Sequence, residues 1–441
     1  MDASRVSAEH GDVSEAGAAG VAISGPRLLS RLDELAEVGA ITGPRGHRGS
    51  SRLALTDDDK HGRDLVVAWM HDLGLDVVTD AIGNVIGTMP GFGDCAPVMC
   101  GSHIDTVATG GRFDGNLGVL AGLEVIEAAI TSGCDLARPL AVAFFTDEEG
   151  ARFAPDMLGS LVYAGGMTVE EAHAIVAVDG SGATVGSELE RIGYLGSAPC
   201  PGPAPYAFVE LHIEQGPVLE QRCERIGAVT GVQGISWTAV TVSGVSNHAG
   251  TTPMSMRHDP MFVVGHMTAF LRALALEIGE PQVATVGRVE LHPNLINVVP
   301  ASATFTIDVR HTDDDILRDV ERRVMAELER VAAQEQVSIE CEQLARFEPV
   351  SFDPVVVAMV EDAARRRGVT AIQMPSGAGH DAQMMARLCP TAMIFTPSIA
   401  GISHNPAEDT DPADLVLGCQ LLADVMISLA SHTSQQEEQP V

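Results

Sequence analysis

Short apolar runs that stop abruptly at a charged or imidazole side chain recur along this chain. Residues 97–100 lead into Ser102-His103-Ile104-Asp105, residues 140–146 into Asp147-Glu148-Glu149, and residues 207–211 into His212. A fourth run, 392–396, precedes a loop that reaches His404. Runs of this length, bounded by turn signals, read as strands buried on both faces. Between them, residues 28–36, 64–73, 118–130 and 381–388 carry apolar positions at helical spacing, the second of these stopping at Gly74. Further strand pieces fall at 77–78 and 84–88. Strands alternating with helices predict an α/β fold with a mixed, mainly parallel sheet covered by helices. Such sheets build their sites beyond the carboxyl ends of the strands, where these polar clusters fall.

The pattern changes between about residues 231 and 342. Residues 236–243 and 303–309 alternate as half-exposed strands do, and residues 261–276 and 314–333 read as amphipathic helices. This predicts a small ferredoxin-like α+β module inserted into the larger domain. The expected organisation is a disordered leader at 1–25, the first part of the main domain at 26–230, the insertion at 231–342, the second part at 343–432 and a tail at 433–441.

Composition narrows the class. The 441 residues are 45% apolar and 20% charged, enough for sizeable cores. No apolar run approaches the roughly 20 residues of a membrane span, and no basic segment followed by an apolar core marks a secretory signal, so no membrane association is expected. The eight cysteines are scattered singly, which points to reduced thiols in a soluble cytoplasmic protein. Sixty acidic against 27 basic residues give a net charge of −33, and Lys60 is the single lysine. Such a charge repels polyanions, so nucleic acid is not an expected partner. Lys60, in a polar helix-start segment, suits neither a phosphate-binding loop nor a Schiff base.

The strand-end residues form an inventory with chemical meaning. His103 and Asp105 lie on one side of an extended segment, where a carboxylate can fix the tautomer of a ligating imidazole. Asp114 sits in a glycine-rich loop before a helix, and Glu148-Glu149 can point in different directions from a turn. With His212 and His404, these make three histidines, an aspartate and a glutamate beside a spare glutamate. That set suits two Zn²⁺-like ions sharing one aspartate, with a water acidified by the metals. Each element alone has a plainer explanation: a surface pair, a solvated helix start, a satisfied core histidine. Spacing by itself leaves both readings open.

The chain resembles the hydantoinase/carbamoylase branch of the aminoacylase and carboxypeptidase-G-like metallohydrolases. The resemblance rests on Gly101-Ser102-His103-Ile104-Asp105-Thr106-Val107, Gly110-Gly111-Arg112-Phe113-Asp114-Gly115, Thr146-Asp147-Glu148-Glu149-Gly150-Ala151-Arg152-Phe153 and Glu210-Leu211-His212-Ile213-Glu214-Gln215-Gly216-Pro217. It continues through Asn247-His248-Ala249-Gly250, Asn297-Val298-Val299-Pro300, Asp308-Val309-Arg310-His311, Ser376-Gly377-Ala378-Gly379-His380-Asp381 and Gly401-Ile402-Ser403-His404-Asn405, in family order across residues 30–430.

The resemblance implies two divalent ions per subunit, Zn²⁺ first and Mn²⁺, Co²⁺ or Ni²⁺ as alternatives. His103 and His212 would hold one ion, Glu149 and His404 the other, and Asp114 would bridge them, followed by a cis peptide to Gly115. Asp105 would support His103, and Glu148 would be the general base. The inserted module would be a lid that also dimerises, lending His248 to the partner's site as an oxyanion donor. Arg310 would grip a substrate carboxylate, with Asn297, Gln215 and Gly379 as neighbours, although a surface ion pair with Asp308 is its plainer use. With so little positive charge elsewhere, recognition of an anion would rest on the metals and on such arginines.

The expected reaction is cleavage of the ureido C–N bond of a small anionic N-carbamoyl acid, giving amino acid, CO₂ and ammonia. Candidate substrates are N-carbamoyl-L-amino acids, 3-ureidopropionate, allantoate and ureidoglycolate. Alternatives are an aminoacylase or dipeptidase on the same fold and, ranked lower, a non-catalytic binding protein. Two departures stand out: Ser398-Ile399-Ala400, where many relatives carry a basic residue and an aspartate, and Ala301, where they often have glycine.

Overall fold

The computed structural model of the chain describes residues 21–431. Its larger sheet has nine strands. Four of them run parallel at its centre in the order Leu140–Phe145, Val98–His103, Ala207–Ile213 and Thr391–Thr396. Every residue of these four is buried, so each reads as a continuous apolar run rather than an alternation. Val85–Thr88 and Asp76–Thr79 extend one side antiparallel. On the other side Ile226–Val232 pairs antiparallel with Thr391–Thr396 and parallel with Ala371–Ser376. The helices Asn116–Ser132 and Pro412–Ser431 pack on the central strands and on each other.

Register brings the strand ends level. Phe145 stands opposite His103, and Thr396 opposite Ile213. The residues that follow Phe145 and Thr396 therefore leave the sheet at the edge where His103 and His212 sit.

The inserted module has its own five-stranded antiparallel sheet. Gly234–Ser243 lies between Ser302–His311 and Ser338–Phe347, while Val283–Thr285 and Val289–His292 pair with the outer side of Ser302–His311. The helices Pro260–Ile278 and Asp314–Glu335 bury Val263, Leu271, Leu317 and Leu328 against Val240, Phe305 and Ile307, a core separate from that of the large sheet. Two cores of this kind make two folding units.

Three expectations change. Strand Ser338–Phe347 carries the module five residues beyond the expected boundary at 342; as a largely exposed edge strand it shows no apolar alternation. The expected leader ends sooner, because Ser24 caps the helix Gly25–Ala36 and Gln420 holds Ile23 and Val21. Residues 1–20 and the expected tail lie outside the described residues. Two helices, Pro260–Ile278 and Pro412–Ser431, are long and apolar enough to cross a membrane by length and composition, contrary to the reading of the runs. Pro412–Ser431 is mostly buried in the core of the large domain. All eight cysteines are unpaired.

Arg52 locks the segment behind the site. Fully buried, it donates from Nε to Ile104 O at 2.6 Å, from Nη1 to Val38 O at 2.8 Å and from Nη2 to Asn116 Oδ1 at 2.8 Å. Burial lowers its pKa to about 10, against the pull of Asp59 and Asp105, so it stays charged at neutral pH. Removing those donors strands buried acceptors. Arg52→Met should lower unfolding free energy by about 3 kcal/mol in urea titrations monitored by circular dichroism.

Candidate active site

His103 is the last residue of its strand, and the chain turns immediately after it. The turn brings the backbone carbonyl of Asp105, not its carboxylate, to 3.0 Å from His103 Nδ1. The carboxylate stands 3.9 Å away and accepts the backbone N–H groups of Glu148 and Glu149, each at 3.3 Å. Asp105 therefore supports His103 through its carbonyl and pins the Glu148-Glu149 turn through its side chain. His212 Nδ1 likewise meets Ile213 O at 2.8 Å. A carbonyl accepts only from N–H, so both rings turn the lone pair of Nε2 inward.

The two Nε2 atoms converge on Oδ1 of Asp114, at 3.6 Å for His103 and 3.2 Å for His212. Oδ2 of the same carboxylate faces Nε2 of His404 at 3.3 Å, and that nitrogen lies 3.2 Å from Glu149 Oε2. Two groups thus share Asp114: His103/Asp114/His212 and Asp114/Glu149/His404. Within each, the donor atoms lie within 4.8 Å of one another, close enough to hold a metal ion. Glu148 Oε2 stands beside them, 3.4 Å from His103 Nε2.

The charge state fits a cation site. Burial opposes ionisation of Asp114, yet the three imidazoles hold its carboxyl well below the usual range. Burial and neighbouring acids push Glu148 well above it and Glu149 up to about 8. Asp114 raises His404 to about 9, and His103 rises against its burial through Glu148 and Asp114. Carboxylates packed this closely need positive charge among them, a role that divalent cations fill.

His103, Asp114, Glu148, Glu149, His404, Gln215 and Gly379 line one cavity of about 360 Å³, with His212 behind Asp114. Gln215, at φ 58°, turns its amide to Asp114 Oδ2 at 2.8 Å. Three expected residues stand apart. His248 and Asn297 are exposed together on the inserted module, where Ala249 N donates to Asn297 O at 3.0 Å. That contact joins the two short strands Asn247–His248 and Val298–Val299, which pair antiparallel. Arg310 gives Nε and Nη2 to Asp308, the plainer of its two uses, and Nη1 to Gly377 O at 2.9 Å, two residues from Gly379.

The peptide between Asp114 and Gly115 is not among the cis bonds of the described residues, all four of which precede proline. Gly115 makes the turn instead, at φ +67°, and donates its N–H to His212 Nε2 at 3.1 Å. A non-prolyl cis bond costs about 3 kcal/mol, which a glycine in this conformation avoids. A Cβ at position 115 would stand 2.5 Å from the His103 ring.

Supporting residues came without a sequence signal. Glu408 is buried and accepts the N–H groups of Phe113 and Asp114 at 3.0 and 3.2 Å through Oε1, and the Ser403 hydroxyl at 3.0 Å through Oε2. Burial and Asp114 raise its pKa to about 7. Glu210 accepts from Ser102 Oγ at 2.6 Å and Ala382 N at 2.8 Å. With His212 and His380 it forms a third group of potential ligands. Its oxygens are already engaged, and burial holds His380 neutral at 2.9 Å from Ser376 Oγ, so this group buttresses the first two. His380 lies in a motif from which the resemblance singled out Gly379 alone.

The model of peptidase family M20/M25/M40 matches residues 99–428. The chain belongs to that family. Within it, the chain is 39% identical over 409 residues to an N-carbamoyl-L-amino-acid amidohydrolase of Rhizobium meliloti, covering 92% of this chain and 97% of the relative. It is 39% identical over 360 residues to an allantoate amidohydrolase of Escherichia coli strain K12, covering 81% and 87%. A hydantoinase/carbamoylase family amidase from Burkholderia multivorans superposes with a TM-score of 0.89 at 43% identity, covering 93% of this chain and 99% of that one. This M20-family chain is therefore an amidohydrolase of the hydantoinase/carbamoylase branch. In the segment Ser398-Ile399-Ala400, Ser398 Oγ accepts Gln215 N at 2.9 Å, and Ala400 N donates to Glu220 at 2.9 Å.

Glu408 provides a test of this support. Residues that orient ligands commonly affect metal affinity by about 10–100-fold. Glu408→Ala should weaken divalent-metal binding within that range in competition titrations against a chromogenic chelator.

Proposed function

We propose that the chain hydrolyses the ureido C–N bond of an N-carbamoyl acid, releasing amino acid, CO₂ and ammonia, with two divalent ions in its site. The observation that carries this reading is the carboxylate of Asp114, whose two oxygens face separate ligand groups with Glu148 alongside. His103 and His212 would hold one ion, Glu149 and His404 the other, and Asp114 both. When bound, the ions supply Lewis acidity toward a carbonyl and toward water. Zn²⁺ is the first choice for this mixed His/carboxylate set, with Mn²⁺, Co²⁺ and Ni²⁺ compatible.

The chain's own residues supply the proton transfers and the grip on substrate. Glu148, raised by burial, takes a proton from water and delivers it to the leaving nitrogen. Arg310 lies on the module strand that reaches Gly377, and exchanging Asp308 for a substrate carboxylate would anchor the acid. His248 acts from the module of a second subunit, donating to the developing oxyanion, with Asn297 beside it. Its exposure and the exposed apolar Met254, Met256, Leu295 and Ile296 nearby in sequence support this arrangement, since such surface favours association. The active form would be a homodimer.

Ammonia release across N-carbamoyl-L-amino acids, 3-ureidopropionate, allantoate and ureidoglycolate tests the reaction, with N-acetyl amino acids and dipeptides as controls. Turnover of the controls alone would place the chain with the aminoacylases or dipeptidases. Glu148→Gln should keep its metal content while kcat falls by about 10²–10⁴-fold.

Subunit mixing tests His248. Glu148→Gln and His248→Ala should each be nearly inactive, but dissociating and reassociating them together should restore roughly a quarter of the wild-type sites. No recovery in verified mixed dimers would place His248 in its own subunit's chemistry, and a fully active His248→Ala would place it outside the reaction.

A further inference from the structure

Four carboxylates line the cavity: Asp114, Glu148, Glu149 and Asp156. The first three gather around the histidines. Asp156 belongs to neither ligand group that shares Asp114. It is exposed to the cavity, and among the described residues no other residue donates a hydrogen bond to its side chain. Arg310 is its countercharge, but that guanidinium is bonded to Asp308 and Gly377.

The position is built into the same turn that presents Glu148 and Glu149. The chain folds back so that Met157 N donates to Glu148 O at 2.7 Å, Leu158 N to Asp147 O at 3.2 Å and Gly159 N to Thr146 O at 2.7 Å. Gly150, at φ +60°, lets the backbone of Asp156 pack closely: a Cβ there would stand 2.8 Å from Asp156 N. On the other side, Oδ2 of Asp156 lies 3.7 Å from the position a Cβ on Gly379 would take. Asp156 and the Gly379 backbone therefore adjoin in the wall of the cavity that the two ligand groups also line.

We infer that Asp156 reads the substrate's side chain, selecting ureido acids whose substituent ends in N–H donors over those ending in a carboxylate. This rests on the ureido reading given above and names the substrate class within it. A carboxylate left without a donor loses hydration when a ligand covers it, unless the ligand brings N–H groups of its own. An amide, a second ureido group or a cationic nitrogen supplies them. A second carboxylate adds repulsion to the lost hydration, so discrimination comes from both the matched and the rejected substrate.

N-carbamoyl-L-asparagine and N-carbamoyl-L-aspartate differ at that terminal group while keeping nearly the same shape, and kcat/KM for each in wild type, Asp156→Asn and Asp156→Ser tests the inference. Wild type should prefer the asparagine derivative by about 100-fold or more. In both variants the aspartate derivative should gain at least about tenfold while the asparagine derivative loses, a crossing that misfolding cannot produce. If wild type turns over ureido acids but the two substrates change by a common factor, or not at all, the role of Asp156 is overturned alone. If wild type releases ammonia from no ureido acid, the ureido reading falls and this inference with it.

Discussion

Asp114 stands between three imidazole nitrogens, 3.2–3.6 Å from each, and the rest of the site is arranged to keep it there. One oxygen serves His103 and His212, the other His404, so a single carboxylate sets the separation of two potential metal positions. Packing several acids into a buried cavity is unfavourable unless positive charge answers them. The sheet meets that constraint by ending parallel strands level with one another, and the loop of Asp114 is held from behind by Glu408 through two backbone N–H groups. Gly115 and Gln215, both at positive φ, turn the chain where the approach is closest.

Much of this was legible because buried parallel strands are apolar throughout. A histidine or acid at the end of such a run interrupts it visibly, and four interruptions of one kind imply a common edge. The central strands followed from that pattern, and the inserted α+β module from the alternation that faces Phe305, Ile307 and Val309 inward. The edge strand Ser338–Phe347 escaped because exposed positions on both faces leave no period to read. The helix Pro412–Ser431 was missed as a long apolar element because Asp414 and Asp424 divide its run.

The supporting residues of the site were the least legible. Glu408 acts on a loop nearly 300 positions earlier, and nothing local distinguishes it from the other acids of a chain carrying sixty. At Asp105 the alternation points to the carboxylate, but the backbone carbonyl makes the contact, because the extended segment turns after His103. Asp156 was passed over for a similar reason: its significance comes from the fold-back of residues 146–159, which the linear spacing hides. Arg310 shows the opposite case, where both uses were foreseen and the ion pair with Asp308 is the contact present.

The number of divalent ions bound per chain tests the central role of Asp114 most directly. Wild type and Asp114→Ala would be equilibrated with Zn²⁺, freed of excess by gel filtration and measured by inductively coupled plasma mass spectrometry. About two ions per wild-type chain are expected, with loss of both in the variant, because one carboxylate serves both positions. A wild type that binds one ion or none, or an Asp114→Ala variant that keeps two, would contradict it.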